Sequence, residues 1–154
     1  MTAVDIGCGM GYFTLGLAKL VGPGGKVIAV DLQEEMLAAL GRRARKAGLA
    51  DGIVPHRCRP DRLGVEEFAD FVLAFWMVHE VKDMPRFFGE IFSLLKTDGR
   101  LLLVEPKFHV IRSRFERTVE VCRAAGFRLL GEPAVALSRA VLMEKTGDAS
   151  GGVS

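Results

Sequence analysis

The sequence predicts an α/β domain in which helices cover both faces of a parallel sheet. Short apolar runs alternate with segments of helical periodicity, the run "ADFVLAFW" is typical of a strand buried on both faces, and a glycine-rich turn follows the first apolar run. With 154 residues, 49% of them hydrophobic and 26% charged, the chain has the size and composition of one globular domain. We expect that domain over residues 1–146 and a disordered tail over residues 147–154, where small and polar residues dominate.

The first part of the chain contains two strand and helix units. A strand at Ala3–Ile6 precedes a helix from Gly11 to Val21, which "GPGG" ends because proline and glycine continue a helix only at a cost. The strand Lys26–Asp31 precedes a helix from Gln33 to Gly48, and the terminal glycine fits a left-handed cap. The buried face of this second helix is predicted to carry Met36, Leu40, Ala44 and Ala47.

Two further strands, Ile53–Cys58 and residues 69–76, lead to a third helix. Asp83 is placed to cap its N-terminus, and Pro85 is tolerated in its first turn. The buried stripe of this helix is predicted to be Phe88, Ile91, Phe92 and Leu95.

The last part of the chain begins with the turn "TDG", which is predicted to lead into a strand at Arg100–Glu105. Ser113 and Glu116 have the spacing of a capping box, so we expect a helix there that ends at Gly126. Its buried residues are predicted to be Phe115, Val119 and Cys122. Two segments separated by Pro133 then form an antiparallel pair, Phe127–Glu132 and Val135–Glu144.

Composition excludes several classes of function. The net charge of +2 is too small to attract a polyanion, so nucleic acid is not the expected partner, although basic residues cluster at 42–46. No apolar run approaches the roughly 20 residues of a membrane span. Three cysteines, Cys8, Cys58 and Cys122, are odd in number and widely spaced, which disfavours disulfides and a metal site and favours the reducing cytoplasm.

The glycine turn "AVDIGCGMGYFT" indicates the ligand class. A dinucleotide fingerprint would need glycine where Tyr12 stands, and the phosphate-binding lysine pattern is absent. The chain instead has Asp5 ahead of three alternating glycines, and Asp31 at the end of the second strand is placed to accept the hydroxyls of a ribose. An acid at Asp5 suits a cationic amine and would repel a pyrophosphate. The pattern favours a ligand with a ribose and an amine.

These residues, together with "VIAVDLQEEML", "FADFVLAFWMVHEV" and "FFGEIFSLLKTDGRLLLVEP", resemble the class I S-adenosylmethionine-dependent methyltransferases. The resemblance is to the small-molecule branch that includes quinone-biosynthesis C-methyltransferases. It implies a Rossmann-like sheet of seven strands in the order 3-2-1-4-5-7-6, with strand 7 antiparallel, and S-adenosylmethionine as cofactor. The implied cofactor residues are Asp5, Gly7, Cys8, Gly9, Gly11, Asp31, Leu32, Ala74 and Phe75.

The chain departs from the family pattern at two places. Family members commonly have an acid after the third strand that reaches the adenine, but the segment here reads "HRCRPDRL", which leaves Arg59 and Asp61 as alternatives. Family members also usually carry one or two helices before the glycine loop, and here only two residues precede the first strand. Either the chain is a fragment or the site is unusually open.

Candidates for chemistry follow the fourth and fifth strands. His79 is placed to act as a general base, or else only to shape the pocket. Trp76 and His109 are candidates for acceptor binding, Lys107 and Arg112 for neutralising an anionic acceptor, and Cys8 is expected to be a space-filler.

The predicted function is S-adenosylmethionine-dependent methyl transfer to a small-molecule acceptor. The alternative is a non-catalytic methyltransferase-like domain that binds the cofactor or a partner chain. A homodimer is compatible with the sequence, which does not identify the acceptor.

Overall fold

The computed structural model describes residues 1–147, so all of the predicted tail except Gly147 lies outside the described residues. Strands and helices alternate along the chain, as the sequence predicts. The strands are β1 Thr2–Ile6, β2 Lys26–Asp31, β3 Ile53–Arg57, β4 Ala69–Phe75, β5 Leu95–Pro106, β6 Phe127–Gly131 and β7 Ser138–Lys145. The helices are α1 Tyr12–Val21, α2 Glu34–Lys46, α3 Met84–Leu94 and α4 Arg112–Ala124, with short 3₁₀ turns at Ala50–Gly52 and Val78–Glu80.

The seven strands form one sheet in the order β3-β2-β1-β4-β5-β7-β6. Strands β1 to β5 pair in parallel, and β7 is antiparallel to both β5 and β6, which confirms the predicted topology. The central strand β1 has its last residue, Ile6, in register with Val30 of β2 and Ala74 of β4. The segments that follow these three strands therefore emerge side by side at the carboxyl edge of the sheet.

Apolar side chains cover both faces of the sheet. On one face, α3 and α4 pack against β1, β4 and β5, with Phe88 and Ile91 fully buried. On the other face, α1 and α2 pack against β2 and β3, and Leu40 is fully buried. The run from Ala69 to Phe75 is covered on both sides, which explains its unbroken apolar sequence.

The helix faces differ in part from the predicted ones. In α2 the buried residues are Leu37, Leu40 and Ala44, while Ala47 is the exposed C-cap. In α3 the buried residues are Phe87, Phe88, Ile91 and Leu94, and Leu95 belongs to β5. In α4 Thr118 is buried with Phe115 and Cys122, whereas Val119 is half-buried. The predicted stripes have the observed helical period, and individual positions in them are displaced by one residue, as with Thr118 in place of Val119.

Two predicted turn signals were wrong. Strand β5 begins at Leu95, and the "TDG" segment is a bulge in it, with Asp98 at φ 64°, since Ala69 pairs with Leu95 but Phe71 pairs with Arg100. Helix α4 begins at Arg112, after its N-cap Ile111, and no side-chain hydrogen bond caps this end among residues 1–147. Ser113 and Glu116 therefore lie inside the helix and form no capping box. By contrast, the carboxylate of Asp83 accepts the backbone N–H of Arg86 at 3.1 Å, as predicted for α3. In the described range, no helix has the length and apolarity that crossing a membrane requires.

Candidate functional site

The glycine turn lies at the carboxyl end of β1 and is fixed to β2. The backbone N–H groups of Gly7 and Cys8 both donate to the carbonyl of Val30, at 2.8 and 3.0 Å. Gly9 and Gly11 have φ of 55° and 94°, in the region that favours glycine. A Cβ on Gly11 would collide with Leu40, whereas a Cβ on Gly9 would meet nothing within 4 Å. The turn is therefore packed on its Gly11 side and open at Gly9.

Asp31 connects the end of β2 to this turn. One carboxylate oxygen accepts the N–H of Gly9 at 2.9 Å, and the other accepts the N–H of Gln33 at 2.9 Å. A carboxylate has about four acceptor positions, so each oxygen retains capacity for a ligand hydroxyl. Asp31 is thus oriented by the backbone before any ligand arrives.

Asp5 is buried beneath the turn, with only 2% of its surface exposed. The hydroxyl of Thr14 in α1 donates to its carboxylate at 2.6 Å. Burial raises the pKa of Asp5 to about 6; the Thr14 hydrogen bond opposes this rise, and the charge of Asp31 adds to it. The contact with Thr14 holds α1 against β1, and the role of Asp5 beside a cationic amine stays a prediction.

Cys8 is buried within the turn, and its thiol donates to the carbonyl of Gly9 at 3.6 Å. Burial raises the pKa of the Cys8 thiol to about 12, and the charges of Asp5 and Asp31 contribute in the same direction. The thiol stays protonated, which agrees with the space-filling role expected from the sequence.

A cavity of about 570 Å³ opens beside the turn and has the volume typical of small-molecule sites. Its wall includes six of the predicted site residues, namely Gly7, Gly9, Asp31, Leu32, Phe75 and Trp76. In the described part of the chain, six other predicted residues stand outside this wall, namely Asp5, Cys8, Gly11, Ala74, His79 and His109. Both alternatives for the adenine contact, Arg59 and Asp61, lie on the wall.

The cavity wall also contains residues that the sequence did not indicate. They come from α2, from the segment after β3 and from the region around α3, which are distant in sequence. They include Gln33, Met36, Cys58, Leu63, Lys82, Arg86, Phe87 and Glu90. A more open groove of about 400 Å³ shares Arg62, Arg86 and Glu90 with this cavity, and its wall contains no residue of the glycine turn.

His79 lies just after β4 and contacts a buried carboxylate. Its Nδ1 is 3.1 Å from Oε2 of Glu105 at the end of β5, and the N–H of Val78 donates to Oε1 of the same residue at 3.2 Å. Burial raises the pKa of Glu105, while the charge and hydrogen bond of His79 lower it. With Nδ1–H donating to Glu105, Nε2 of His79 is left as a proton acceptor.

An aromatic series runs along the carboxyl edge from α1 to the β5–α4 loop. The ring of Phe75 lies 4.0 Å from that of Phe13 and 5.4 Å from that of Trp76, measured between centroids. Trp76 in turn meets Phe108 edge-on at 5.3 Å, and its Nε1–H donates to the hydroxyl of Ser138 at 2.8 Å. Trp76 has φ 58°, an unfavourable conformation for a bulky residue, which that hydrogen bond helps to hold.

The predicted acceptor residue His109 lies on the β5–α4 loop at the end of this series. Its ring lies 6.0 Å from that of His79 and is nearly parallel to it. Among residues 1–147 the acids, cysteines and histidines form no group of three or more able to hold a metal ion. The site therefore combines a carboxylate aimed at a cavity, an aromatic wall and a histidine with a buried acidic partner.

A family model described as a methyltransferase domain matches residues 1–132. The demethylmenaquinone methyltransferase of Symbiobacterium thermophilum is 35% identical over 103 residues, covering 66% of this chain and 41% of that protein. The demethylmenaquinone methyltransferase of Lactobacillus johnsonii is 32% identical over 104 residues, covering 67% of this chain and 43% of that protein. The chain spans less than half the length of these curated relatives.

Solved structures support the fold. The crystal structure of a SAM-dependent methyltransferase from Aquifex aeolicus matches with a TM-score of 0.83 at 24% identity. The match covers 94% of this chain and 81% of that one. At that identity the likeness establishes the architecture alone.

Proposed function

The chain belongs to the methyltransferase-domain family, and from that premise we propose that it transfers a methyl group from S-adenosylmethionine to a small-molecule acceptor. Its sheet order and antiparallel β7 are those of the class I S-adenosylmethionine-dependent methyltransferases, as the motif resemblance predicted. The observation that carries the proposal is the cavity at the glycine turn, on whose wall Asp31 stands held by two backbone N–H groups.

The residues present fit the proposed cofactor. Gly9 leaves open space where any other residue would place a side chain, so a ligand has room to approach the backbone. The Asp31 carboxylate is suited to a ribose, and the neighbouring Leu32 and Met36 provide apolar surface for a base. The wall is thus polar where the ribose would bind and apolar where the adenine would bind.

Bound S-adenosylmethionine supplies an activated methyl group on a sulfonium. The contribution of the chain is then mainly to hold the acceptor in line, a kind of positioning worth about 7–11 kcal/mol in favourable cases. Phe75 and Trp76 line the cavity, so an acceptor bound against them is shielded from water on that side. Where the acceptor must lose a proton, Nε2 of His79 accepts it, while Glu105 stabilises the resulting imidazolium.

The acceptor we propose is a flat aromatic molecule of the quinol type. Two relatives are named demethylmenaquinone methyltransferases, and the aromatic series from Phe75 to Phe108 offers ring faces and edges for such a molecule. His109 stands beside His79 at the end of the series and is a further candidate to contact the acceptor. The proposal also places the protein in the cytoplasm, since Cys8, Cys58 and Cys122 are all unpaired thiols.

Isothermal titration of the purified chain with S-adenosylmethionine, S-adenosylhomocysteine and NAD tests the proposal. We expect the two sulfur ligands to bind and NAD not to bind. Asp31→Ala should weaken binding roughly tenfold or more, since hydrogen bonds to a charged group contribute about 1.5–3 kcal/mol. Asp51→Ala, an exposed acid in the first 3₁₀ turn, is the matched control and should leave binding unchanged.

Failure of both sulfur ligands to bind would overturn the proposal. Binding without turnover of any quinol or phenol acceptor, in a chain with unaltered His79 and Glu105, would instead support the non-catalytic alternative. Equal binding by Asp31→Ala and Asp51→Ala would show that the ribose contact is wrongly assigned.

A further inference from the structure

Two loops meet at the carboxyl edge of the sheet, beyond the cavity. The β5–α4 loop and the segment before β7 are joined by hydrogen bonds: the N–H of Lys107 donates to the carbonyl of Leu137 at 2.9 Å, and Nε of Arg139 donates to the carbonyl of Val110 at 3.3 Å. Because these bonds connect the loops directly, their side chains form one surface. We call this surface the edge patch and define it by Lys107, Phe108, Ile111, Arg112, Leu137 and Arg139.

The apolar members of the edge patch are unusually exposed. Phe108, Ile111 and Leu137 have 61%, 67% and 70% of their surface accessible. A single exposed apolar residue is ordinary, whereas a group of large ones on adjoining loops marks an interaction site. Leu137 also has φ 58°, a left-handed conformation that is costly for a leucine. Such strained residues cluster at functional sites.

The charges around the patch are mostly positive. Residues 106–117 and 132–139 contain five basic residues and two acids, Glu116 and Glu132. Their net charge of +3 exceeds the +2 of the whole chain, so the rest of the protein is slightly negative. Residues 42–62 are more basic still, with seven basic residues and two acids, but the large apolar residue exposed among them is Val54 alone. The edge patch is where basic residues and several exposed large apolar side chains occur together.

We propose that the edge patch docks the protein on an anionic lipid bilayer. Exposed aromatic and aliphatic side chains ringed by Lys and Arg are the combination that enters the boundary between headgroups and acyl chains. A symmetric contact with a second copy would bring the same basic residues of both copies together, which is unfavourable. The inference does not require the proposed methyl transfer, because it rests on exposed side chains outside the cavity wall, although Phe108 also belongs to the aromatic series proposed for the acceptor.

Flotation of the purified chain with lipid vesicles tests this inference. Vesicles of phosphatidylcholine with phosphatidylglycerol should carry the chain, and vesicles of phosphatidylcholine alone should not. Binding should decline with salt, because the screening length falls from about 10 Å at 0.1 M to about 3 Å at 1 M ionic strength. Lys107→Glu/Arg112→Glu should weaken binding roughly tenfold or more, since each basic residue contributes about fivefold near such a surface.

Matched variants separate the patch from overall charge and hydrophobicity. Arg42→Glu/Arg45→Glu on exposed positions of α2 gives the same net charge as the patch double variant and should bind like the unmodified chain. Ile111→Asp/Leu137→Asp should also lose binding, whereas Phe68→Asp, at a residue 63% exposed before β4, should not. Circular dichroism confirms that each variant is folded, and the left-handed position 137 tolerates Asp better than Leu.

Three results would overturn the inference. The first is a lack of binding to phosphatidylglycerol vesicles at low salt. The second is equal loss of binding in the patch and α2 charge variants. The third is self-association that Ile111→Asp/Leu137→Asp abolishes in a chain that does not float, which would identify a second copy as the occupant.

Discussion

The imidazole of His79 and the carboxylate of Glu105 lie 3.1 Å apart, although 26 residues separate them in the chain. Their contact follows from the parallel pairing of β4 with β5, which puts the ends of both strands at one edge of the sheet. Glu105 is buried and also accepts the N–H of Val78, so its position is fixed independently of His79. The pair thus has a rigid, buried acidic member and a histidine whose side chain is 20% exposed.

The first prediction concerns catalysis by this pair. His79→Gln should lower kcat by about 10²–10⁴, the usual contribution of a general base, and leave the affinity for S-adenosylmethionine unchanged. Glu105→Gln should cause a smaller fall in kcat and a changed pH–rate profile. Glu120→Gln, at an exposed acid of α4, is the control and should leave kcat unchanged.

A measurement without acceptor checks the same geometry. Nitrogen-15 NMR of the His79 ring should show the proton on Nδ1, and Glu105→Gln should reduce the population of that tautomer. Methyl transfer at an unchanged rate and pH profile in both His79→Gln and Glu105→Gln would restrict the pair to a structural role.

The second prediction concerns Asp5 and pH. Its pKa is raised from 3.8 to about 6 in the folded protein, so the folded state binds this proton more tightly than the unfolded chain does. The stabilisation from this group is therefore lost as pH rises from 3.8 to about 6. The loss reaches about 3 kcal/mol once pH exceeds the pKa of Asp5 in the folded protein. Asp5→Asn should be more stable than the unmodified protein above pH 6, with no such advantage below pH 3.8.

Urea denaturation across this pH range measures the effect of Asp5. Thr14→Val removes the hydrogen bond that opposes the pKa rise and should therefore destabilise the protein at neutral pH. If Asp5→Asn retained the pH dependence of the unmodified protein, the titration would belong to another group.

The third prediction compares two glycines of the turn. Gly11→Ala should destabilise the fold by roughly 2–4 kcal/mol, because the methyl group collides with Leu40 and φ is positive. Gly9→Ala should cost only about 1–2 kcal/mol, the usual left-handed penalty, because its methyl group meets open space.

For cofactor affinity we expect the reverse order: Gly9→Ala should lose more binding of S-adenosylmethionine than Gly11→Ala. The added methyl group at position 9 occupies space on the cavity wall, so titration should show a larger loss of S-adenosylmethionine binding than the stability change explains. Retained affinity in folded Gly9→Ala would mean that the cofactor does not approach the turn there.

The fourth prediction uses the single tryptophan of the chain. Trp76 lines the cavity and donates to Ser138, so ligand binding should change its fluorescence. Ser138→Ala frees the indole N–H and should shift the emission of the unliganded protein to longer wavelength. A spectrum insensitive to saturating S-adenosylhomocysteine would show that the ligand binds away from Trp76.

Local signals predicted most of the fold. Alternating apolar runs located all seven strands, and Asp83 and Gly126 marked helix ends because caps act within a few residues. The capping box at Ser113 failed because its spacing alone does not fix which residue begins the helix. The β5 bulge was missed because "TDG" serves a turn and a bulge equally well.

The site was less predictable, because it depends on which strands end side by side. The order of Asp31 and the glycines in the chain predicts that they lie at one edge of the sheet, whereas Glu105 could not be matched to His79 without the β4–β5 register. Asp5 has the residue type of a ligand contact, and its hydrogen bond from the hydroxyl of Thr14 was not indicated by the sequence. Arg86 and Glu90 line the cavity because of the position of α3, and no sequence motif marks them.

The central place of β1 in the sheet has a consequence for the order of folding. The first strand pairs with β2 and with β4, whose partner residues lie about 70 positions later, as when the N–H of Thr2 donates to Asp70 at 2.8 Å. Closing so long a loop is entropically costly and slows folding. During synthesis the glycine turn therefore acquires its full set of strand neighbours only after β4 has left the ribosome, so the cavity beside the turn cannot form while β1 and β2 alone are available.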